Sequence, residues 1–256
     1  MQAIITAGGV PQPDEPLYSY TEGQNKALLD VGGKPMVQWV IDALSGSSKI
    51  ENIVIVGLDQ SNGLTATKPL HFLPSHGRIL DNIKAGTQKA VELDPDAELL
   101  IIASADIPAV TSEMVDWLIQ EAQEKDVDIF YTAVERASME ARFPNANRSF
   151  IKLKGMEICG GDMNAVKVKA VTHNESMWNK LEATRKNALQ QAALLGFDTL
   201  FLVLFRIVDI EGAARKIANR LGITGYGALS PYAEIAMDVD KPHQLEILRA
   251  DFASRQ

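Results

Sequence analysis

The sequence has little of the chemistry that supports disulfides or multi-ligand metal sites. It holds one cysteine, Cys159, in 256 residues, which excludes an intramolecular disulfide and any zinc or iron–sulfur site built from several cysteines. The four histidines do not stand at zinc-ligand spacings, so we expect no structural zinc site. We interpret them as structural or surface residues: His71, His76, His173 and His243.

Basic residues are also scarce. The chain carries 25 Lys+Arg against 33 Asp+Glu, a formal net charge of −8, which argues against a nucleic-acid partner. A small anionic substrate stays open, because a local cluster or a metal ion can hold phosphates whatever the global charge. The hydrophobic fraction of 46% and charged fraction of 23% are those of an ordinary globular protein. Because the N-terminus lacks a signal-peptide pattern, we expect a cytoplasmic protein.

Long hydrophobic runs are absent but for one segment. Residues 192–208 are apolar apart from Gly196, Asp198 and Arg206. This run is short and interrupted for a membrane span, which needs about 20 apolar residues. We therefore predict no transmembrane segment, and interpret the run as a buried helix or a homodimer interface. A lipid- or substrate-facing surface is the alternative.

What the sequence does contain is an alternation of strand and helix patterns. Apolar runs predict strands at 3–7, 53–56, 99–103 and 128–134, and helical periodicity predicts helices at 36–44, 79–93 and 114–125. The second half predicts extended segments at 149–155, 163–168 and 232–240, a helical insertion at 175–222 and a helix from Pro242. This alternation is typical of a three-layer α/β/α fold with a mostly parallel sheet. Without a linker-like stretch, we predict one domain over 1–256.

Three features could carry chemistry. Gly8-Gly9 follows the first strand, where backbone amides can approach phosphates, and Lys26 could add a point charge. Asp106 comes just past a buried strand, where open α/β sheets bind ligands, and Asp238-Val239-Asp240 places two carboxylates on one side of a predicted strand. Taken singly, each has a plainer interpretation: a turn, a solvated lysine, a helix-capping aspartate, or two solvent-facing carboxylates.

Taken together, the motifs resemble a known family. Ala7-Gly8-Gly9, Lys26-Ala27-Leu28 with Gly33-Lys34-Pro35-Met36, Asp106-Ile107-Pro108 and Asp240-Lys241-Pro242 occur in the order typical of molybdenum-cofactor-guanylyltransferase-like nucleotidyltransferases. The resemblance implies a Rossmann-like fold of the nucleotide-diphospho-sugar transferase type. It divides the chain into a nucleotide-binding half, 1–135, and an acceptor-binding half, 136–256.

The resemblance also implies roles for residues. Ala7, Gly8 and Gly9 would form the loop that contacts the base and triphosphate, and Lys26 would bind phosphate. Asp106 would ligate Mg²⁺, with Asp240 or its neighbour Asp238 as the second ligand. Asn82 would contact the nucleotide, and the acceptor would face Gly160, Gly161, Asp162 and Asn164.

One departure from the family pattern concerns the loop after the glycines. Relatives usually place an arginine and then the lysine within a few residues, whereas here residues 10–22 intervene without a basic side chain. Binding of the triphosphate would then depend on Lys26, Lys34 and the metal.

The implied reaction is attack by a phosphate oxygen of a small acceptor on the α-phosphorus of a nucleoside triphosphate, with Mg²⁺ present and pyrophosphate released. The resemblance favours CTP or GTP over ATP. Two alternatives stay open: a glycosyltransferase of the related fold that uses a nucleotide sugar, since Asp238-Val239-Asp240 has the Asp-x-Asp form, and a nucleotide-binding module without catalysis.

Overall fold

The computed structural model describes residues 1–172 and 207–255. The strands are β1 (Gln2–Thr6), β2 (Asp30–Val31), β3 (Lys34–Pro35), β4 (Asn52–Val56), β5 (Leu70–Leu73), β6 (Leu99–Ser104), β7 (Ile129–Glu135), β8 (Ile151–Leu153), β9 (Met156–Gly160), β10 (Met163–Lys167) and β11 (Gly225–Leu229). The α-helices are α1 (Tyr18–Thr21), α2 (Met36–Gly46), α3 (Ile79–Leu93), α4 (Ser112–Lys125), α5 (Arg136–Arg142), α6 (Val168–Thr172), α7 (Ile210–Arg220) and α8 (Pro242–Ala253). Short 3₁₀ helices occur at Lys26–Leu28, Gln60–Asn62 and Ala233–Ala236.

Nine strands form one mixed sheet in the order β5-β4-β1-β6-β10-β7-β9-β8, with β11 on the other edge of β7. Strands β10 and β9 run against their neighbours, and the remaining seven point the same way. The predicted mostly parallel α/β/α fold is therefore confirmed. Strands β2 and β3 form a separate two-stranded ribbon.

The central strand β1 shows why the sheet is covered on both faces. Ala3 and Ile5 pack into a cluster with apolar residues of α2 and α4, whereas Ile4, on the opposite face, packs with residues of α3 and α6. A strand buried on both sides has no polar face, which accounts for the unbroken apolar run that begins the sequence. Its carboxyl end is thereby held rigidly between the two helical layers.

A two-residue bulge interrupts the strand that pairs with β7. Phe130 pairs with Ala165, whereas Ala133 pairs with Gly160, so β7 advances three residues while its partner advances five. The extra residues are Gly161 and Asp162, which separate β9 from β10. Bulges of this kind redirect side chains next to functional sites.

The structure corrects part of the sequence-based prediction. Residues 232–240 do not form a strand: a 3₁₀ helix, Ala233–Ala236, is followed by an irregular extended segment. The sequence did not predict strands β2, β3, β5, β9 and β11 or helices α1, α5 and α6. The predicted helix at 79–93 has the predicted bounds.

Some predictions fall on undescribed residues. Of the predicted helical insertion at 175–222, the described part includes α7, and residues 175–206 lie outside the described residues, as do His173 and most of the apolar run at 192–208. Within the described ranges, no helix combines the length and apolar character needed to cross a membrane.

Candidate active site

A cavity of about 760 Å³ opens at the carboxyl ends of β1 and β6. Nine of the predicted site residues line it: Ala7, Gly8, Gly9, Lys26, Asn82, Asp106, Asp162, Asp238 and Asp240. They come from parts of the chain as far apart as its first strand and the segment before its last helix. The cavity is therefore the place where the sequence motifs meet.

The glycine turn after β1 leaves no space for a side chain at its first position. A Cβ atom on Gly8 would lie 2.7 Å from the Ser75 hydroxyl and 2.9 Å from the Asn82 amide nitrogen. The Asn82 amide is fixed in turn, because its oxygen accepts a hydrogen bond of 2.7 Å from the backbone N–H of His76. The turn thus presents bare backbone to the cavity, with a buried amide beside it.

Asn25 fixes the position of Lys26. Its side-chain oxygen accepts a hydrogen bond of 2.9 Å from the Ala27 N–H and caps the short helix that carries Lys26. Its amide nitrogen donates to the carbonyls of Ala7 and Gly57, at 2.5 and 3.2 Å. One side chain therefore joins the lysine-bearing helix to the glycine turn. Sequence reasoning did not single out Asn25.

The Lys26 ammonium lies between two carboxylates. Its Nζ atom is 2.6 Å from Asp106 Oδ2 and 2.6 Å from Asp240 Oδ1. Burial by itself would lower the pKa of Lys26, but the attraction of Asp106 and Asp240 outweighs it and raises the pKa above its ordinary value. The side chain is therefore a permanent cation at the point where the two carboxylates converge.

Asp106 is positioned by bonds to its neighbours. The Ser104 hydroxyl donates to Asp106 Oδ1 at 2.5 Å, and the Val239 N–H donates to the Asp106 carbonyl at 3.0 Å. The second bond attaches the segment that carries Asp240 to the end of β6. Asp106 is 6% exposed, and the Asp240 side chain is 56% exposed at the cavity mouth.

Asp238 points to a different partner from Asp240. Its carboxylate contacts Nη1 of Arg148, whose Nη2 lies 3.6 Å from Asp162 Oδ2. Burial and the charge of Asp106 raise the pKa of Asp162 to about 7, although Arg148 acts in the opposite direction. Arg148 was not anticipated from the sequence, since nothing around it in the chain distinguishes it from a surface arginine.

The other residues that were predicted to face the acceptor substrate lie at or beside the bulge between β9 and β10. Gly160, Gly161 and Asn164 do not line the cavity. The Asn164 oxygen accepts from the Thr132 N–H at 2.8 Å, and its nitrogen donates to the Gly161 carbonyl at 3.1 Å. This amide replaces ladder bonds that the two extra residues remove. Its side chain therefore supports the backbone that directs Asp162 toward the cavity.

The loop after the glycines closes one side of the cavity. Val10, Pro11, Glu15, Pro16 and Leu17 line it, and none of them is basic. Lys34 does not line it: its Nζ lies 2.6 Å from Asp42 and 3.9 Å from the centre of the Trp39 ring. Among the described residues, Lys26 is thus the one cationic side chain that lines this cavity.

The chain matches a family of known proteins over most of its length. The sequence pattern of the MobA-like NTP transferase domain matches residues 3–194, three-quarters of the chain. The chain belongs to this family. It is accordingly a nucleotidyltransferase, as the order of the motifs suggested.

Individual relatives agree with this membership. A probable molybdenum cofactor guanylyltransferase from Thermococcus sibiricus is 22% identical over 185 residues, which are 72% of this chain and 86% of that protein. A hypothetical transferase from Thermus thermophilus superposes with a TM-score of 0.81 at 27% identity, covering 95% of this chain and 98% of the other. A CMP:2-keto-3-deoxy-manno-octonic acid synthetase complexed with CTP shares the fold, with a TM-score of 0.60 at 14% identity over 100% and 99% of the two chains.

Proposed function

We propose that this nucleotidyltransferase moves a nucleoside monophosphate from a nucleoside triphosphate, GTP or CTP, to a phosphorylated small molecule and releases pyrophosphate. The observation that carries the proposal is the convergence of Asp106 and Asp240 on one point beside the glycine turn. Guanylyl transfer in the name of the Thermococcus relative and CTP in the synthetase complex support these two bases.

The same convergence supports a site for Mg²⁺. Two carboxylates present oxygens to one point, and hard oxygen ligands are those that Mg²⁺ prefers. Among the described residues, no three such side chains are placed so that they could hold a metal ion by themselves. An ion bound here would take the rest of its shell from phosphates and water. We propose Asp106 and Asp240 as its ligands, and Asp238 as the partner of Arg148. When bound, Mg²⁺ would neutralise charge on the phosphates.

The residues of the chain would act by positioning and charge. The amides of Gly8 and Gly9 and the Asn82 side chain would hold the nucleotide at the turn, because Gly8 leaves no side chain in the way. The Lys26 ammonium would pair with the triphosphate. An acceptor phosphate oxygen then bonds to the α-phosphorus as the bond from that phosphorus to the bridging oxygen breaks, and the electron pair leaves with pyrophosphate. Because the nucleophile is already ionised, no proton has to be removed.

Replacement of Asp106 tests the proposal. We expect Asp106→Asn to lower the rate of pyrophosphate release at least about 100-fold at saturating Mg²⁺, since charge stabilisation at the phosphates is lost. Asp42→Asn is the matched control, because the Asp42 carboxylate also lies 2.6 Å from a lysine, on a surface away from the cavity. The assay would screen four triphosphates against phosphorylated sugars, polyols and alcohols.

Three outcomes would contradict the proposal. Full activity of Asp106→Asn would remove the metal assignment. Release of a nucleoside diphosphate from a nucleotide sugar would indicate a glycosyltransferase. Nucleotide binding without turnover across the acceptor panel would indicate a binding module.

A further inference from the structure

The charges that line the active-site cavity are poorly suited to two anionic substrates. Five carboxylates line it, from Glu15, Asp106, Asp162, Asp238 and Asp240, against the single ammonium of Lys26. That ammonium is held by two of the carboxylates and, under the proposed function, serves the triphosphate. A phosphorylated acceptor therefore needs another cation, because a phosphate next to uncompensated carboxylates is repelled.

A second cavity, of about 580 Å³, is lined by three cationic side chains: Arg136, Arg148 and Lys152. Two of them are neutralised locally. Arg136 pairs with Glu140 and Glu157, at 2.8 and 2.7 Å, and Lys152 lies 3.4 Å from Glu157. Arg148 has no such partner within this cavity, and its guanidinium is directed instead at the carboxylates of the first.

Arg148 therefore stands at the boundary between the two cavities. It lines the smaller one, while Asp162 and Asp238, which it contacts, line the larger one. The boundary is close to the proposed reaction centre: Asp238 is two residues before Asp240, and the Ser104 N–H donates to the Asp162 carbonyl at 2.8 Å. An acceptor in the smaller cavity would reach the α-phosphate past this guanidinium.

The loop that carries Arg148 is firmly held. The Ala146 carbonyl accepts from the Gln244 side chain at 3.3 Å and lies 3.1 Å from a ring nitrogen of His243, both on α8. On either side of it, Asn145 and Asn147 have left-handed backbones, with φ of 65° and 51°. The Arg148 side chain is 14% exposed, and its Nε has no hydrogen-bond partner among the described residues. A guanidinium has five N–H donors, so donors remain beyond the contacts with the two carboxylates and the Cys159 thiol.

We propose that the smaller cavity receives the acceptor and that Arg148 binds the acceptor's phosphate group at the boundary with the nucleotide cavity. The inference rests on the proposed function and assigns the acceptor class to small organic phosphates. The planar guanidinium suits a phosphate, since it can donate two parallel hydrogen bonds. The acceptor body would lie beside Phe150 and the Asn145–Asn147 turn, which line the same cavity.

The test measures binding of a phosphate probe with the nucleotide cavity already filled. Protein is saturated with Mg²⁺ and an α,β-methylene analogue of the triphosphate that the wild type binds, which cannot transfer its nucleotidyl group. sn-Glycerol 3-phosphate is then titrated and followed by ³¹P NMR, and unphosphorylated glycerol is tested by competition. We expect saturable binding of the phosphate that glycerol does not displace.

Arg148→Met should weaken probe binding at least about tenfold, the value of one charged hydrogen bond, and Arg148→Lys by less, since it keeps the charge without the fork. Arg249→Met, which removes an arginine paired with Glu246 outside both cavities, should bind the probe as the wild type does. Affinity for the triphosphate analogue should be unchanged in Arg249→Met. The analogue is kept saturating in every variant, because Arg148 contacts two carboxylates that line the nucleotide cavity.

Lys152→Glu provides a second variant if Arg148→Met does not fold. Lys152 is half exposed at the smaller cavity, so charge reversal there should weaken probe binding about threefold without disturbing the core. The inference is overturned if folded Arg148→Met or, in its absence, Lys152→Glu binds the probe like the wild type, or if the wild type binds no phosphate. If the proposed function is wrong, the wild-type protein will bind no nucleotide or release no pyrophosphate, which is a separate result.

Discussion

At the scale of single residues, Gly160, the last residue of β9, and Gly161, the first extra residue of the bulge, differ in the side chains that lie against them. A Cβ atom on Gly161 would lie 2.1 Å from the Thr132 hydroxyl, which is fully buried and bonded to the Met163 carbonyl. On Gly160 it would meet the hydroxyl end of Tyr131, a side chain with 44% exposure that can move away. This part of the chain therefore has room for a methyl group at Gly160 and not at Gly161.

We expect Gly161→Ala to lower the free energy of unfolding by about 1–3 kcal/mol, the usual effect of overpacking. Gly160→Ala should change it by less than about 1 kcal/mol. Urea unfolding of both variants against the wild type measures the difference. Equal losses at the two positions would show that the Thr132 contact does not limit the space.

The Asp162 carboxyl makes stability depend on pH. Its pKa in the folded protein, about 7, is above the ordinary value of 3.8, because burial and the charge of Asp106 disfavour the ionised form. Between these two values the folded protein binds more protons than the unfolded chain. The free energy of unfolding therefore falls as pH rises from about 4 to about 7, and above that pH the loss stays constant. Asp162→Asn removes that loss.

Accordingly, Asp162→Asn should be more stable than the wild type at pH 8, and the difference should disappear toward pH 4. Asp128→Asn should instead be less stable than the wild type by a nearly constant amount over the same range. Burial opposes ionisation of Asp128, but hydrogen bonds from Thr224 and the nearby Lys169 lower its pKa, so its stabilising contribution is lost only below the ordinary value of 3.8. Urea unfolding from pH 4 to 8, in EDTA and without nucleotide, measures both. A pH-independent effect of Asp162→Asn would contradict the raised pKa.

At the scale of secondary-structure elements, the three-residue helix Lys26–Leu28 depends on its cap. Asn25→Ala should destabilise the protein by about 0.5–2 kcal/mol and weaken nucleotide binding, because Lys26 loses its fixed approach. Asn25→Asp keeps the acceptor for the Ala27 N–H but loses the donor to the Ala7 and Gly57 carbonyls. Calorimetric titration with Mg²⁺ and nucleotide would compare them. Wild-type affinity in Asn25→Asp would show that the donor bonds do not matter.

A helix or strand can be predicted from the sequence when the residues that determine it lie within the element itself. The strand at β1 and helix α3 are encoded locally, by apolar runs and periodicity, and were predicted. Strand β11 contains two glycines, Gly225 and Gly227, whose missing side chains make room for α7. That reason is tertiary, so its sequence resembles a loop. The bulge also depends on tertiary contacts, so neither the bulge nor the direction of the Asp162 side chain could be predicted.

The site shows the same division. Lys26, Asp106 and Asp240 could be predicted because short motifs mark them, and the cavity brings them together. Arg148 could not, because its importance comes from two carboxylates that lie 14 and 90 positions further along the chain. Long-range ion pairs leave no periodic signal in a single sequence.

At the scale of the whole molecule, the candidate active site joins distant parts of the chain. Lys26 and Asp240 are 214 positions apart in the chain, and the Lys26 ammonium pairs with both Asp106 and Asp240. Any ligand that binds only the folded protein stabilises it. The effect of Mg²⁺ on the melting temperature therefore reports whether the Lys26 ammonium competes with the metal ion for the two carboxylates.

We expect Mg²⁺ alone to raise the wild-type melting temperature little, and Mg²⁺ with nucleotide to raise it by several degrees. In Lys26→Met, Mg²⁺ alone should stabilise more than in the wild type, whereas nucleotide should add less. Lys34→Met, which removes a lysine with an equally close carboxylate partner outside the cavity, should behave as the wild type. Differential scanning fluorimetry measures all three. Equal stabilisation by Mg²⁺ alone in the wild type and Lys26→Met would contradict the competition.

Because the Lys26 ammonium lies between Asp106 and Asp240, binding of metal and nucleotide would require these charged groups to exchange partners. The ammonium offsets only one of the two carboxylate charges, but a divalent ion would have to compete with Lys26 for both carboxylates. Under the proposed function, a triphosphate would give Lys26 an alternative anion, and the carboxylates would then be available to a metal ion. Metal and nucleotide would thus favour each other's binding, and Mg²⁺ alone would bind more weakly than Mg²⁺ together with nucleotide.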